Sequence, residues 1–144
     1  MKRTAISIGR LQLKRLLLTG AAIALMAVQA NAYQIDYKTG ALSGLVTFQT
    51  GLVPSMCSSE SFSGKVAKRE FGGDAIYPTS FIVETADGQR ELINTPELPA
   101  DLNLADRGWV VQGIQKFTRI GRVVHGIAQR CGASGHFLYL DAIR

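Results

Sequence analysis

The sequence is poor in the residues that carry most metal and redox chemistry. It holds two cysteines and two histidines in 144 residues, with one tryptophan and four prolines. There is no Cys-x-x-Cys pair, and a metal site would have to recruit His125 and His136 without any recognisable ligand spacing. The His-Glu-x-x-His pattern of metalloproteases is missing. Lys38-Thr39-Gly40 lacks the Gly-x-x-x-x-Gly-Lys-Ser/Thr order of a phosphate loop. Gly132-Ala133-Ser134-Gly135 falls one residue short of a hydrolase elbow, and its small residues suit a turn between strands instead. Asp74 and Asp141 are single carboxylates, read as turn and surface residues rather than a glycosidase pair. No cofactor, no metal and no catalytic constellation is expected.

An apolar run long enough to span a bilayer, roughly 20 residues, is also lacking. What stands at the N-terminus is shorter. Five basic side chains (Lys2, Arg3, Arg10, Lys14, Arg15) and no acid precede an apolar run over residues 16–28, and Ala30-Asn31-Ala32 follows it. That three-part order predicts a secretory signal peptide over residues 1–32, cleaved after Ala32. No cysteine stands directly after the expected cleavage point, so lipid attachment there is not expected, and adjacent arginines are absent, which favours the general export route.

Setting the leader aside changes the charge. The full chain has 16 basic and 11 acidic residues; removing five bases leaves 16 − 5 = 11 of each, a net charge near zero. The basic excess belongs to the leader, so it is no argument for nucleic acid. Residues 33–144 make one domain, small enough for a cross-link to matter. Cys57 and Cys131, an even pair in an exported chain, are expected to form a disulfide. Closing that loop is worth about 4 kcal/mol in the chain-entropy view.

Residues 33–60 read as an N-terminal extension. Tyr33-Gln34-Ile35-Asp36-Tyr37 alternates as a strand does, Leu45-Val46-Thr47-Phe48 is a short β-prone run, and the pattern leaves open whether this arm joins the domain. Residues 61–71 form the first core strand, with Phe62, Gly64, Val66 and Lys68 on one face and Ser63, Lys65, Ala67 and Arg69 on the other. Two more strands, 80–86 and 90–94, flank the hairpin signal Asp87-Gly88. A helix capped by Asp101 and running to about residue 117 would gather Leu104, Val110, Val111, Ile114 and Phe117 on its apolar side. Gly108, Gly113 and the β-branched Val110-Val111 keep a strand over 109–117 as its rival. Two closing strands, 122–130 and 136–143, end the chain.

Three strands, a helix and two strands is the element order of an OB-fold. Gly121-Arg122-Val123-Val124-His125-Gly126 resembles that family's fourth strand, and Phe137-Leu138-Tyr139-Leu140-Asp141-Ala142-Ile143 its fifth. The resemblance covers about residues 61–144 and is one of pattern. It implies a mainly β, five-stranded antiparallel barrel with one helix between strands three and four. Pairing of strands one and four would bring Cys57 beside Cys131, within the roughly 7 Å that a disulfide requires.

Two clusters qualify as binding candidates. The basic one comprises Lys65, Lys68 and Arg69, with Lys116, Arg119, Arg122 and Arg130 later in the chain. The aromatic one includes Phe71, Tyr77, Trp109 and Tyr139, where the resemblance implies binding through strands two and three and through loops 72–79 and 132–135. His125 and His136, at the rim of the closing hairpin, are further binding candidates; an acid–base site built from them with Asp74 is the least favoured reading. Phe62, Phe81, Phe137 and Trp109 are assigned to the core. The expected function is that of a non-catalytic exported binding domain, periplasmic or secreted, with an envelope protein or peptide as partner. The alternative is a polyanion, oligosaccharide or single-stranded nucleic acid, held by the basic patch and loop aromatics; near-neutrality weighs against nucleic acid.

Overall fold

The computed structural model describes residues 33–49, 56–73, 75–132 and 137–144. Residues 1–32 with the expected leader, residues 50–55, Asp74, and Ala133, Ser134, Gly135 and His136 with most of the expected closing turn lie outside the described residues. Seven strands and one α-helix make up the rest: β1 (Gln34–Ile35), β2 (Leu42–Ser43), β3 (Cys57–Glu70), β4 (Ser80–Glu84), β5 (Arg90–Asn94), α1 (Leu104–Phe117), β6 (Val123–Cys131) and β7 (Phe137–Ile143). Strands β3 to β7 close on themselves in the order β7-β5-β4-β3-β6, with β6 returning to β7. This is a closed five-stranded barrel, consistent with an OB-like fold, and α1 lies between its third and fourth strands as expected.

The barrel is not purely antiparallel. β5 and β7 run parallel, Ile93 beside Leu138 and Asn94 beside Tyr139. Counting directions explains it: each of the other four contacts is antiparallel, and a closed ring with an odd number of strands must contain one like-directed pair. The core is built from Phe62, Val66, Phe81, Val83, Ile93 and Leu140 among other apolar residues, and Ser80, Thr95 and Thr118 are buried as well.

β3 holds the barrel together. Its first half pairs with β6 from Cys57↔Cys131 to Lys65↔Val123, and its second half pairs with β4 from Lys65↔Glu84 to Glu70↔Ser80. The ladder begins at the disulfide, where Cys57 and Cys131 are directly opposite with Cα atoms 4.2 Å apart. That is close to the narrow spacing of an antiparallel pair, so the bridge needs no displacement of either strand. Strand pairing, not the cysteines, creates the proximity. The strand starts at Cys57, earlier than its alternation alone suggests.

One irregularity re-aims the basic residues of β3. Val66 pairs with Val83 but Lys68 pairs with Ile82, so Ala67 is an extra residue. A bulge shifts the period-2 alternation by one. Arg69 therefore falls opposite the buried Phe81, on the face of Val66, while Lys68 stays exposed. The expected grouping of Lys68 with Phe62 and Val66 is reversed beyond that point.

α1 is a helix, not the rival strand, and its cap is Asn103 rather than Asp101. Asn103 Oδ1 accepts from the Asp106 N–H at 2.9 Å, and Asn103 Nδ2 donates back to the Asp106 carboxylate at 2.7 Å. Val110, Val111, Ile114 and Phe117 are buried as expected, but Leu104 is 87% exposed. Seven residues turn a helix by about 700°, which leaves Leu104 on the side of Val111, so its exposure follows from its place as the first residue of the helix and not from its face. Trp109 is 39% exposed and Phe137 54%, so neither belongs to the core. Gly113, a weak helix former, is explained by what lies against it. A Cβ there would stand 2.7 Å from the Gly40 carbonyl oxygen and 2.9 Å from Leu42 Cδ1.

That contact shows how residues 33–49 join the barrel. β1 and β2 pair antiparallel, β2 pairs with the end of β7 through Leu42↔Ile143, and Leu42 and Leu45 are buried in the core. The run Leu45–Phe48 forms a single 3₁₀ turn instead of a strand. Asp141 fastens it: its Oδ1 accepts from the Val46 N–H at 3.2 Å and its Oδ2 from Gln129 Nε2 at 3.2 Å. Asp141 is the residue skipped where Ile127 pairs with Ala142 and Ala128 with Leu140, a second bulge.

A second fastening joins the hairpin to α1. Tyr33 Oη donates to Asp106 Oδ2 at 2.7 Å and Tyr37 Oη to Oδ1 at 2.9 Å. Hydrogen bonds from the Tyr33 hydroxyl first, then the Asn103 amide and the Tyr37 hydroxyl, hold the Asp106 carboxyl below its usual range. A carboxylate so lowered contributes stability above its unfolded value, about 3.9, and loses it as pH falls through the folded value. We therefore expect acidification below about pH 4 to release the tyrosines. Trp109, whose ring centroid is 5.5 Å from that of Tyr37, reports the change by its fluorescence. At the alkaline end, the bond to Asp106 raises the Tyr33 phenol from 10.0 to about 12. Its contribution is complete below 10 and disappears as pH rises through 12. Asp106→Ala should show the released spectrum already at pH 7; a native spectrum in that variant would refute the fastening.

Candidate functional site

An open cleft of about 760 Å³ lies between the β1–β2 hairpin and the wall formed by β3, β6 and β7. Its shape follows from strand register. Phe62↔Gly126, Gly126↔Ile143, Ile143↔Leu42 and Leu42↔Ile35 are successive partners, so one row crosses all five strands. Phe62, Ile143 and Leu42 in that row are buried. The residues on either side of it alternate outward and line the cleft.

Two outward rows result. In one, Ser61 is opposite Ile127 and Ile127 opposite Ala142, with Ile127 40% exposed. In the other, Ser63 is opposite His125, and His125 exchanges backbone hydrogen bonds with Arg144 at 3.2 and 2.9 Å. Directly opposed residues of antiparallel neighbours project from the same face, about 5 Å apart. Ser63, His125 and Arg144 are therefore neighbours, and all three are exposed. Ser63 Oγ and His125 Nδ1 are 2.8 Å apart. If Ser63 donates, the imidazole keeps its hydrogen on Nε2 for a ligand.

Arg144 forms no ion pair among the described residues. Asp36, the acid at the cleft, is engaged by its own turn. Its carboxylate accepts from the N–H groups of Lys38 and Thr39 and from the Thr39 hydroxyl, at 2.9, 3.3 and 2.5 Å. These bonds, that from the Thr39 hydroxyl first, lower its pKa.

The remaining sequence candidates are dispersed. Lys68 pairs with Glu70 at 2.8 Å. Arg69 stacks over Phe71 at 5.4 Å, with its Nε buried and without a hydrogen-bond partner. Lys65 stays exposed on the barrel wall. Arg122 and Lys116 both lie over the Phe117 ring, at 4.8 and 5.2 Å. Arg130 grips Glu60 with two bonds of 2.6 and 2.7 Å, which lowers the Glu60 carboxyl and raises the guanidinium. Tyr77 is half-buried, and its oxygen accepts from the Leu98 N–H at 3.3 Å. It lines a smaller recess of about 320 Å³ with Asn94, Glu97, Phe137 and Tyr139, at the barrel end where the OB-like resemblance placed binding.

Of the sequence candidates, only His125 lies in the larger cleft. Ser63, Ile127 and Arg144 were missed, because nothing in their local sequence distinguishes them from other outward strand residues. Among the described residues no group of three His, Cys, Asp or Glu side chains could hold a metal ion, and no helix is long and apolar enough to cross a membrane.

The fold and cleft define a small disulfide-pinned β-barrel with a hairpin-walled groove. Compared with known proteins, the chain matches no family model, no curated protein and no solved structure.

Proposed function

We propose that this is an exported, non-catalytic binding domain of the bacterial envelope, OB-like in architecture, that captures a protein or peptide partner in the cleft beside the β1–β2 hairpin. The cleft carries the reading. Its volume falls within the range of roughly 300–1,000 Å³ typical of ligand sites, and it combines exposed apolar side chains with a few hydrogen-bonding groups. The Cys57–Cys131 bridge is consistent with an oxidising compartment, periplasmic or extracellular. The Ser63–His125 pair has no carboxylate hydrogen-bonded to the imidazole among the described residues, which favours recognition over nucleophilic chemistry.

The polyanion reading draws less support. Lys68, Arg69, Arg122 and Arg130 each sit against a partner of their own rather than facing one groove. The two readings separate by experiment. Capture of a defined envelope protein should weaken only a few-fold between about 0.1 and 0.5 M salt and fall roughly tenfold in Ile127→Ser, whose side chain is 40% exposed. Steep loss with salt, together with loss on Lys65→Glu and Arg122→Glu, would establish the polyanion instead.

A further inference from the structure

We infer that the cleft selects an extended peptide carrying an acidic side chain two residues from an apolar one. This rests on the cleft being the binding site, and it names what the partner must present there. The two outward rows differ in chemistry and are two strand residues apart, about 6.8 Å. Ser61, Ile127 and Ala142 offer an apolar strip with one hydroxyl. Ser63, His125 and Arg144 offer a hydroxyl, an imidazole and a guanidinium in line across β3, β6 and β7.

Charge decides the second row. Lys68, Arg90 and Arg130 have their carboxylates at 2.8, 3.4 and 2.6 Å. Arg144, like Lys65 and Arg119, has none among the described residues, but it alone of these lines the cleft beside His125, where Asp36 is turned to Lys38 and Thr39. A guanidinium and an imidazole donor at the end of a groove complement a carboxylate, which accepts from both. A peptide running along the strands presents residues i and i+2 on one side at the same 6.8 Å or so. An acid at i then meets Arg144 and His125 while an apolar residue at i+2 lies on Ile127.

The test uses the full chain and two peptides blocked at both ends, one with glutamate two residues before leucine and one with glutamine in its place. Fluorescence anisotropy of the labelled peptides gives both affinities. The glutamate peptide should bind roughly tenfold tighter, and Arg144→Gln should remove that preference while leaving the glutamine peptide unchanged. Ile127→Ser should weaken both peptides equally. His125→Gln, which keeps a donor, should lose less than Arg144→Gln.

Equal affinity for the two peptides, with both lost in Ile127→Ser, overturns the acidic preference and leaves the cleft as the binding site. Binding that ignores Ile127→Ser and Arg144→Gln overturns both. Displacement of the glutamate peptide by a sulfated oligosaccharide at equal charge, with no requirement for the leucine, also overturns the peptide assignment.

Discussion

Replacing Cys57 and Cys131 together by alanine should lower the stability of the oxidised protein by about 4 kcal/mol, with a fall in the thermal midpoint of roughly 15–20 °C. The bridge spans 74 residues, which covers β3, β4, β5, α1 and β6. In the unfolded chain it removes the conformations of a long loop; in the folded barrel it joins residues that pairing already places 4.2 Å apart at Cα. The loss should be the same for the reduced native chain as for the double variant, because the contribution comes from the cross-link. Urea melts of oxidised native, reduced native and double-alanine protein measure it. Cys131 is 2% exposed, so reduction under native conditions should be slow until the β3–β6 ladder opens. Reduced and oxidised protein melting together would show that the bridge contributes nothing.

The second large effect is expected at Gly126, the smallest residue in the row beneath the cleft. A Cβ there would stand 2.3 Å from Cζ of Phe62 and 2.4 Å from the Ala142 carbonyl oxygen. Phe62 cannot simply swing away, since its ring is buried and sits edge-on to Phe81 with centroids 6.3 Å apart. The Ala142 oxygen belongs to the backbone of β7. Gly126→Ala should therefore cost about 3 kcal/mol, at the upper end of ordinary overpacking, because ring and strand must both shift. Adding Phe62→Leu should recover part of that loss, and a double-mutant cycle gives the coupling between the two positions. The backbone clash would remain, so recovery should be incomplete. A Gly126→Ala protein as stable as the native one would show that β6 and β7 can separate at this row without loss. Because Ser63, His125, Ile127 and Arg144 depend on that register, the variant should also bind peptide more weakly under conditions where it stays folded.

Local signals were legible where the physics is local. Asp87-Gly88 closes a hairpin because Gly88 adopts φ +81°, so Ser80–Glu84 and Arg90–Asn94 were correctly separated. Asn103 rather than Asp101 caps α1; both residue types suit the position, and only the placement of Asp106 three residues on distinguishes them. The helix itself was obscured by Gly113, whose reason is the carbonyl of Gly40 in a distant hairpin. Phe137 and Trp109 were assigned to the core on size alone. Their exposure follows from where β7 and α1 meet their neighbours, which hydrophobicity does not encode.

The sequence by itself determined the mainly β character, the order of the barrel strands and the pairing of Cys57 with Cys131, and left residues 109–117 between helix and strand. Alternation, turn chemistry and an even cysteine count are properties of short stretches or of composition. Tertiary structure decided the rest. The bulge at Ala67 placed Arg69 rather than Lys68 on the inner face, because an unpaired residue shifts every later side chain to the opposite side. Closure of five strands imposed the parallel β5–β7 contact. It also aligned Ser63 of β3, His125 of β6 and Arg144 directly after β7, which meet only when the register between those strands is set.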